Sequence, residues 1–215
     1  MDDDTECNVL QFDSKFNSDI NVILPDYIHK IIFSVRFNKD LSNVTWPASL
    51  HTLVFGMRFN QDITLIKWPP LLHTLIFGYE YNQDISNLII LSLCVLHFGD
   101  MYNHNLSDVK WNEFISLYSL KLSHDFNSDI TDIIWPQSMH IITFGYSFKQ
   151  NIINANFQNI GIIKDYSSRI TLDSCKFPRT LQFIIHYEYI DYIDIYKKIV
   201  IYERPSGMYT KSAIH

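Results

Sequence analysis

Carboxylates recur at Asp19, Asp40, Asp62, Asp84 and Asp129, and imidazoles recur at His29, His51, His73 and His140. Both side chains can do chemistry. A row of carboxylates could hold Ca²⁺, and a row of imidazoles could ligate a transition metal. The spacing argues otherwise. Counting Asn105 and Asn151, which occupy the same column, the aspartate steps are 21, 22, 22, 21, 24 and 22 residues. Catalysis needs unlike groups converging on one place, and here like groups are spread evenly. Asn replaces Asp twice, and the Gly-rich loop of calcium-binding β-rolls is absent. The expected role of each Asp is therefore to cap its own turn through backbone N–H groups. Cys94 and Tyr118 interrupt the histidine column, which contains no carboxylate. Its members are expected to be partly exposed structural residues.

Other enzyme signatures are missing. There is no P-loop, dinucleotide fingerprint, G-x-S-x-G or H-E-x-x-H. The chain is expected not to be an enzyme and to need no cofactor. Cys7, Cys94 and Cys175 are too few and too far apart for a disulfide scaffold or a zinc site. The N-terminal "MDDDTE" is acidic, frayed by expectation, and no leader; no apolar run approaches the roughly 20 residues of a membrane helix. A net charge of -6 speaks against nucleic acid, whose binding relies on Lys and Arg. These features predict a cytoplasmic protein.

The elements that position these residues are copies of one unit. "WPASLHTLVFGMRFNQDI" (46–63) and "WPPLLHTLIFGYEYNQDI" (68–85) agree at 12 of 18 positions. A Phe-Asn ruler extends the pattern through Phe16, Phe37, Phe59, Tyr81, Tyr102, Phe126 and Phe148. Pro25, Pro47, Pro69 and Pro136 punctuate the units, as do Gly56, Gly78, Gly99 and Gly145. Units 88–106 and 111–130 depart from it: Ile90-Leu91 stands for Trp-Pro, Asn112 for Pro, and Leu122-Ser123 for Phe-Gly.

These letters resemble the FNIP repeat, roughly (L/W)P-x-S-L-x-x-L-x-F-G-x-x-F-N-x-x-I, over about residues 7–152. The resemblance implies a leucine-rich-repeat-like shape. Proteins with such repeats occur in social amoebae and large DNA viruses, some as ubiquitin-ligase adaptors carrying an F-box ahead of the repeats. The localisation implied for a viral member is the host cytoplasm. "LPDYIHKIIFS" (24–34) imitates the opening of an F-box but falls in register with "WPASLHTLVFG" (46–56). The chain is expected to lack an F-box, which weakens the adaptor reading.

In "LHTLVF", Leu53 and Phe55 should face inward, with Thr52 and Val54 outward. Phe59, Ile63, Ile66 and Trp68 should turn inward from the return path, with the tryptophans at core and corner and the asparagines as buried amides bonding their own coil and the next. One strand per repeat, with a return path, predicts a mainly β, right-handed parallel solenoid of about seven 22-residue repeats. A lone unit buries about five large side chains at ~1.5–3 kcal/mol each, against ~1–2 kcal/mol of backbone entropy for every ordered residue. Units must therefore fold together. Residues 1–157 form the predicted repeat array. Residues 158–215, including "KFPRTLQFII" (176–185) and "FIIHYEYIDYIDIYKKIVIYE" (183–203), read as degenerate repeats capping the same solenoid.

The framework letters persist while the outward positions vary, as on a binding surface. The predicted partner-binding face comprises Ile32, Val54, Ile76, His97, Lys121 and Thr143 on the sheet, with Met57, Arg58, Tyr79 and Glu80 on the adjacent loops. Contiguous exposed apolar area marks interaction sites. The expected function is a non-catalytic protein–protein interaction scaffold with an unidentified protein partner. The alternatives are a self-associating structural protein, or the substrate-recognition part of a ubiquitin-ligase adaptor without its F-box.

Overall fold

A computed structural model describes residues 8–152, 155–167, 181–189, 196–203 and 210–214. Cys7, Cys175, the "MDDDTE" segment and residues 176–180 of the eroded copy lie outside the described residues. The rungs are β1 (Val9–Gln11), β2 (Lys30–Ile32), β3 (Thr52–Val54), β4 (Thr74–Ile76), β5 (Val95–His97), β6 (Ser119–Lys121), β7 (Ile141–Phe144), β8 (Ile162–Asp165) and β9 (Phe183–Tyr189). They form one sheet in chain order, and each pair is parallel. The array is thus a parallel β-solenoid of about seven turns, one strand for each copy of the repeat. Among the described residues there is no α-helix, only a short 3-10 turn at Trp111–Glu113.

Register follows the sequence column by column. Ile31, Leu53, Leu75, Leu96, Leu120, Ile142, Ile163 and Ile184 align across the ladder and are fully buried. Two aromatic columns lie behind them. Phe33, Phe55, Phe77 and Phe98 stack on the Phe-Asn ruler residues Phe37, Phe59, Tyr81 and Tyr102, with ring centroids 3.8–4.2 Å apart within a unit. Along the ruler column, Phe37–Phe59 and Phe59–Tyr81 are 6.2 and 6.1 Å apart with nearly parallel rings. The spine implied by the repeat stacks ring on ring from Phe16 to Tyr102 and resumes at Phe126–Phe148.

The glycine column has a steric cause. A Cβ on Gly56, Gly78, Gly99 or Gly145 would sit 1.6–1.9 Å from the carbonyl oxygen of the coil before it. Backbone stacks directly on backbone there, and no side chain fits. The histidine column is also a backbone device. The carbonyls of His29, His51 and His73 each accept two N–H groups from the next coil, from His51 and Thr52, His73 and Thr74, and Cys94 and Val95. That shared acceptor turns the chain into each strand and leaves the side chain free to vary, as it does at Cys94 and Tyr118.

Three expectations change. The asparagines are not buried: Asn38, Asn60 and Asn127 are half-buried, while Asn17, Asn82 and Asn103 are exposed. They do bridge coils. Oδ1 of Asn17, Asn38, Asn60, Asn82 and Asn127 accepts the N–H of the equivalent residue in the next coil at 2.7–3.0 Å. A turn at the rim can satisfy amides without burying them, because the ladder runs along the surface. Trp68 is only half-buried, whereas Trp46, Trp111 and Trp135 are buried. At the C-terminal side, β10 (Tyr196–Glu203) pairs antiparallel with β9, and β11 (Thr210–Ile214) pairs antiparallel with β10. The eroded copy keeps its rung, with Leu181 and Ile184 buried. The last two strands instead continue the sheet as an antiparallel meander, for which short connections suffice.

Candidate partner-binding face

The aspartate column is spent on turns. Asp40, Asp62, Asp84 and Asp129 each accept, through Oδ1, the N–H two residues ahead at 2.8–2.9 Å, and Asn105 does the same at 3.0 Å. Hydrogen bonds from Ser42, Thr64, Ser86 and Thr131 hold all four carboxyls below the usual carboxylate range. Side chains so engaged are Asx-turn caps. The imidazoles of His29, His51 and His73 stack at 4.6 and 5.9 Å. Slight burial and the two neighbouring rings push His51 below the ordinary histidine value. Among the described residues, no group of three or more His, Cys, Asp or Glu is placed to hold a metal ion.

The sheet's outer face is built by strand alternation. Opposite the buried Leu/Ile column lies the register column Ile32, Val54, Ile76, His97, Lys121, Thr143 and Lys164. Ile32, Val54, Ile76 and His97 are half-buried by their cross-strand neighbours, and Lys121 is exposed. Thr143 is a correction: only 7 % of it is exposed, so it offers a partner almost nothing. Lys164, next in that column and half-buried, extends the face by a residue that sequence reading did not select, because its repeat is too eroded to align.

The loop after each strand carries the more accessible surface. Met57, Arg58 and Tyr79 are exposed, and Glu80 is half-buried. Arg58 and Glu80 donate their N–H groups to the carbonyls of Val35 and Met57 in the coil before. Those bonds hold the loops in register, so Val35, Met57 and Tyr79, each about half exposed, form a row beside the strand column. The structure thus brings the predicted residues of β2–β6 and their loops onto one continuous strip.

The opposite, return side also exposes large apolar residues, which the sequence reading overlooked. Ile23, Leu65, Ile115 and Ile134 are 67–92 % exposed. Their column is mixed: Thr45, Lys67, Ile89 and Lys110 occupy the positions equivalent to Ile23 and Ile134 in intervening coils, and of these only Ile89 is apolar, 45 % exposed. Single exposed apolar residues are ordinary. The small cleft between the last two regular coils is lined by Ile134, Trp135, Pro136, Gln137, Met139, Asn156, Gln158, Asn159 and Ile160. It contains no titratable side chain and so no acid, base or nucleophile.

No model of a known protein family matches the chain. No curated protein matches it either. Among solved structures it is similar to CroV588, whose crystal structure is described as that of a novel circular LRR protein. The TM-score is 0.69 at 31 % identity, over 82 % of this chain and 26 % of that one. The chain therefore spans about a quarter of the length of that protein. Among the described residues, no helix is long and apolar enough to cross a membrane. Repeat period, parallel ladder and this likeness agree that the chain folds as a leucine-rich-repeat-like β-solenoid.

Proposed function

We propose that the chain is a non-catalytic interaction scaffold of FNIP type that binds a protein partner on the strip formed by the sheet column and its loops. The supporting observation is the row Val35, Met57 and Tyr79, exposed side by side and held in register by coil-to-coil backbone bonds. Rigid presentation lowers the ordering cost of binding, and contiguous apolar surface favours a protein partner. Affinity capture from the native host provides the test. Met57→Ser/Tyr79→Ser should lose a specific partner that the wild type and a return-side control, Leu65→Ser/Ile134→Ser, both retain. Loss in the control alone would move the function to the other side.

A self-associating structural role is the second reading, favoured by the likeness to a circular repeat protein. Its signature is a mass that rises with concentration in sedimentation. A concentration-independent monomer leaves only the scaffold.

A further inference from the structure

We propose that this face takes an extended acidic protein segment, with apolar side chains over β2–β4 and carboxylates over β5–β8. The inference deepens the scaffold reading and rests on it. Along the outward column beside the loops the chemistry changes midway: Ile32, Val54 and Ile76 are apolar, His97 is a polar imidazole, and Lys121 and Lys164 are cationic; the outward column on the far side, from Lys30 to Ile162, has Lys30 as its one cation. The apolar part continues sideways into Met57 and Tyr79.

Among the described residues no carboxylate pairs with Lys121 or Lys164. On the neighbouring loop His124 Nδ1 and Asp125 Oδ1 lie 2.8 Å apart. Asp125 is bonded there and not to a lysine. The carboxylate of Asp165, beside Lys164 in sequence, is buried and accepts from the N–H and hydroxyl of Ser167. Asp100 is half-buried on the loop. Lys121 and Lys164 lie two rungs apart, about 10 Å at ordinary strand spacing. Their repulsion reaches His97, whose imidazole is held below the ordinary histidine value by burial first, then by Lys121 and Lys164. An acidic chain of net charge -6 that leaves two lysines on one sheet column, with no carboxylate partner among the described residues, presents a local complement to carboxylates. A long polyanion would meet the repulsion of the whole chain and gain nothing from the apolar half. An acidic protein segment uses both halves.

Geometry sets the probe. Val54 to Lys164 spans five rungs, about 24 Å, or about seven extended residues. A labelled synthetic decapeptide of alternating Leu and Ser followed by alternating Glu and Ser would be tested by fluorescence anisotropy at about 50 mM salt, where charge is weakly screened. The same peptide reversed, and versions with Gln for Glu, complete the set. In one orientation the Glu peptide should bind at least about ten-fold tighter than its Gln version. Lys121→Glu/Lys164→Glu should bring that ratio to about one, with Lys121→Gln/Lys164→Gln intermediate and circular dichroism unchanged. Equal binding of Glu and Gln versions, no binding in either orientation, or a ratio indifferent to the lysines overturns the proposal. Oligothymidine bound as tightly as the Glu peptide does so too, and marks a generic polyanion site. Binding that ignores charge yet falls in Met57→Ser/Tyr79→Ser sinks the acidic partner alone. Binding that also ignores Met57 and Tyr79 sinks the scaffold reading with it.

Discussion

The coils of β3 and β4 and the coil of β6 solve the same packing problem differently. The first two follow the repeat closely. Phe55 and Phe77 stack on Phe59 and Tyr81, and Gly56 and Gly78 let backbone lie on backbone. The coil of β6 has Leu122 and Ser123 instead. Leu122 is buried and interrupts the aromatic column, while the Ser123 hydroxyl donates to the carbonyl oxygen of Tyr102. This unit is also the long one, its step of 24 residues accommodated by the 3-10 turn at Trp111–Glu113. Extra length is thus absorbed at the return corner, where a loop can bulge into solvent, while the strand and its buried column stay in register. The interior tolerates exchange only where a new bond or a matched volume replaces the old contact.

The sharpest test of that contrast is Gly78→Ala against Ser123→Ala. The new Cβ at 78 would lie 1.8 Å from the Gly56 carbonyl oxygen, backbone against backbone, with no flexible atom to yield. Denaturant unfolding should show a loss of about 3 kcal/mol or more for Gly78→Ala. Ser123→Ala should lose about 1 kcal/mol, the worth of one hydrogen bond. Equal losses would refute the claim that the two coils differ.

A second contrast lies within the spine. Tyr81 and Tyr102 replace Phe, are fully buried, and have hydroxyls without a hydrogen-bond partner. Burial pushes both phenols well above their ordinary value. Removing an unsatisfied buried hydroxyl should help, so Tyr81→Phe is expected to gain about 1 kcal/mol in chemical denaturation. A loss instead would mean that the hydroxyl is satisfied in solution.

The asparagine ladder offers a smaller effect. Asn60 Oδ1 accepts the N–H of Asn82 and the side-chain amide of Gln83, both at 2.9 Å. Asn103 Oδ1, at the step into the irregular coil, accepts no hydrogen bond among the described residues. Asn60→Ala should cost about 1 kcal/mol, and Asn103→Ala close to nothing. The comparison fails if their thermal melts shift alike.

Acid should act gently and in one direction. His51 and His97 are lowered in the folded chain, so the unfolded chain binds protons first as pH falls. Stability should therefore decline as pH drops through about 6.5. The four capping aspartates are lowered too. Their contribution is complete above the ordinary carboxylate range and is lost below it, as pH falls through their folded values. His97→Asn should flatten the upper part of a plot of Tm against pH, more in the wild type than in Lys121→Gln, which removes one source of the repulsion.

Much of this was legible in one dimension. The Phe-Asn ruler placed every rung from β2 to β7, and the alternation in "LHTLVF" set which strand residues are buried. Turn capping by the aspartates also followed from letters alone, since an Asx turn reaches only two residues ahead. Side-chain period and local hydrogen bonding are short-range, so a repeated string determines them in every copy.

What neighbours do across the ladder required the fold. The glycines are needed because coils stack at backbone distance, a fact about residues 21 or 22 apart. Thr143 is buried, the asparagines sit at the rim, and Lys164 joins the basic half of the face. The turn to antiparallel pairing at β10 and β11 likewise left no mark that alternation could register. Exposure and charge compensation depend on what stands on the adjacent rungs, and strand propensity is the same whichever way a strand runs. Sequence alone therefore determined the rung and its inward side, while the stack decided what each outward side chain faces.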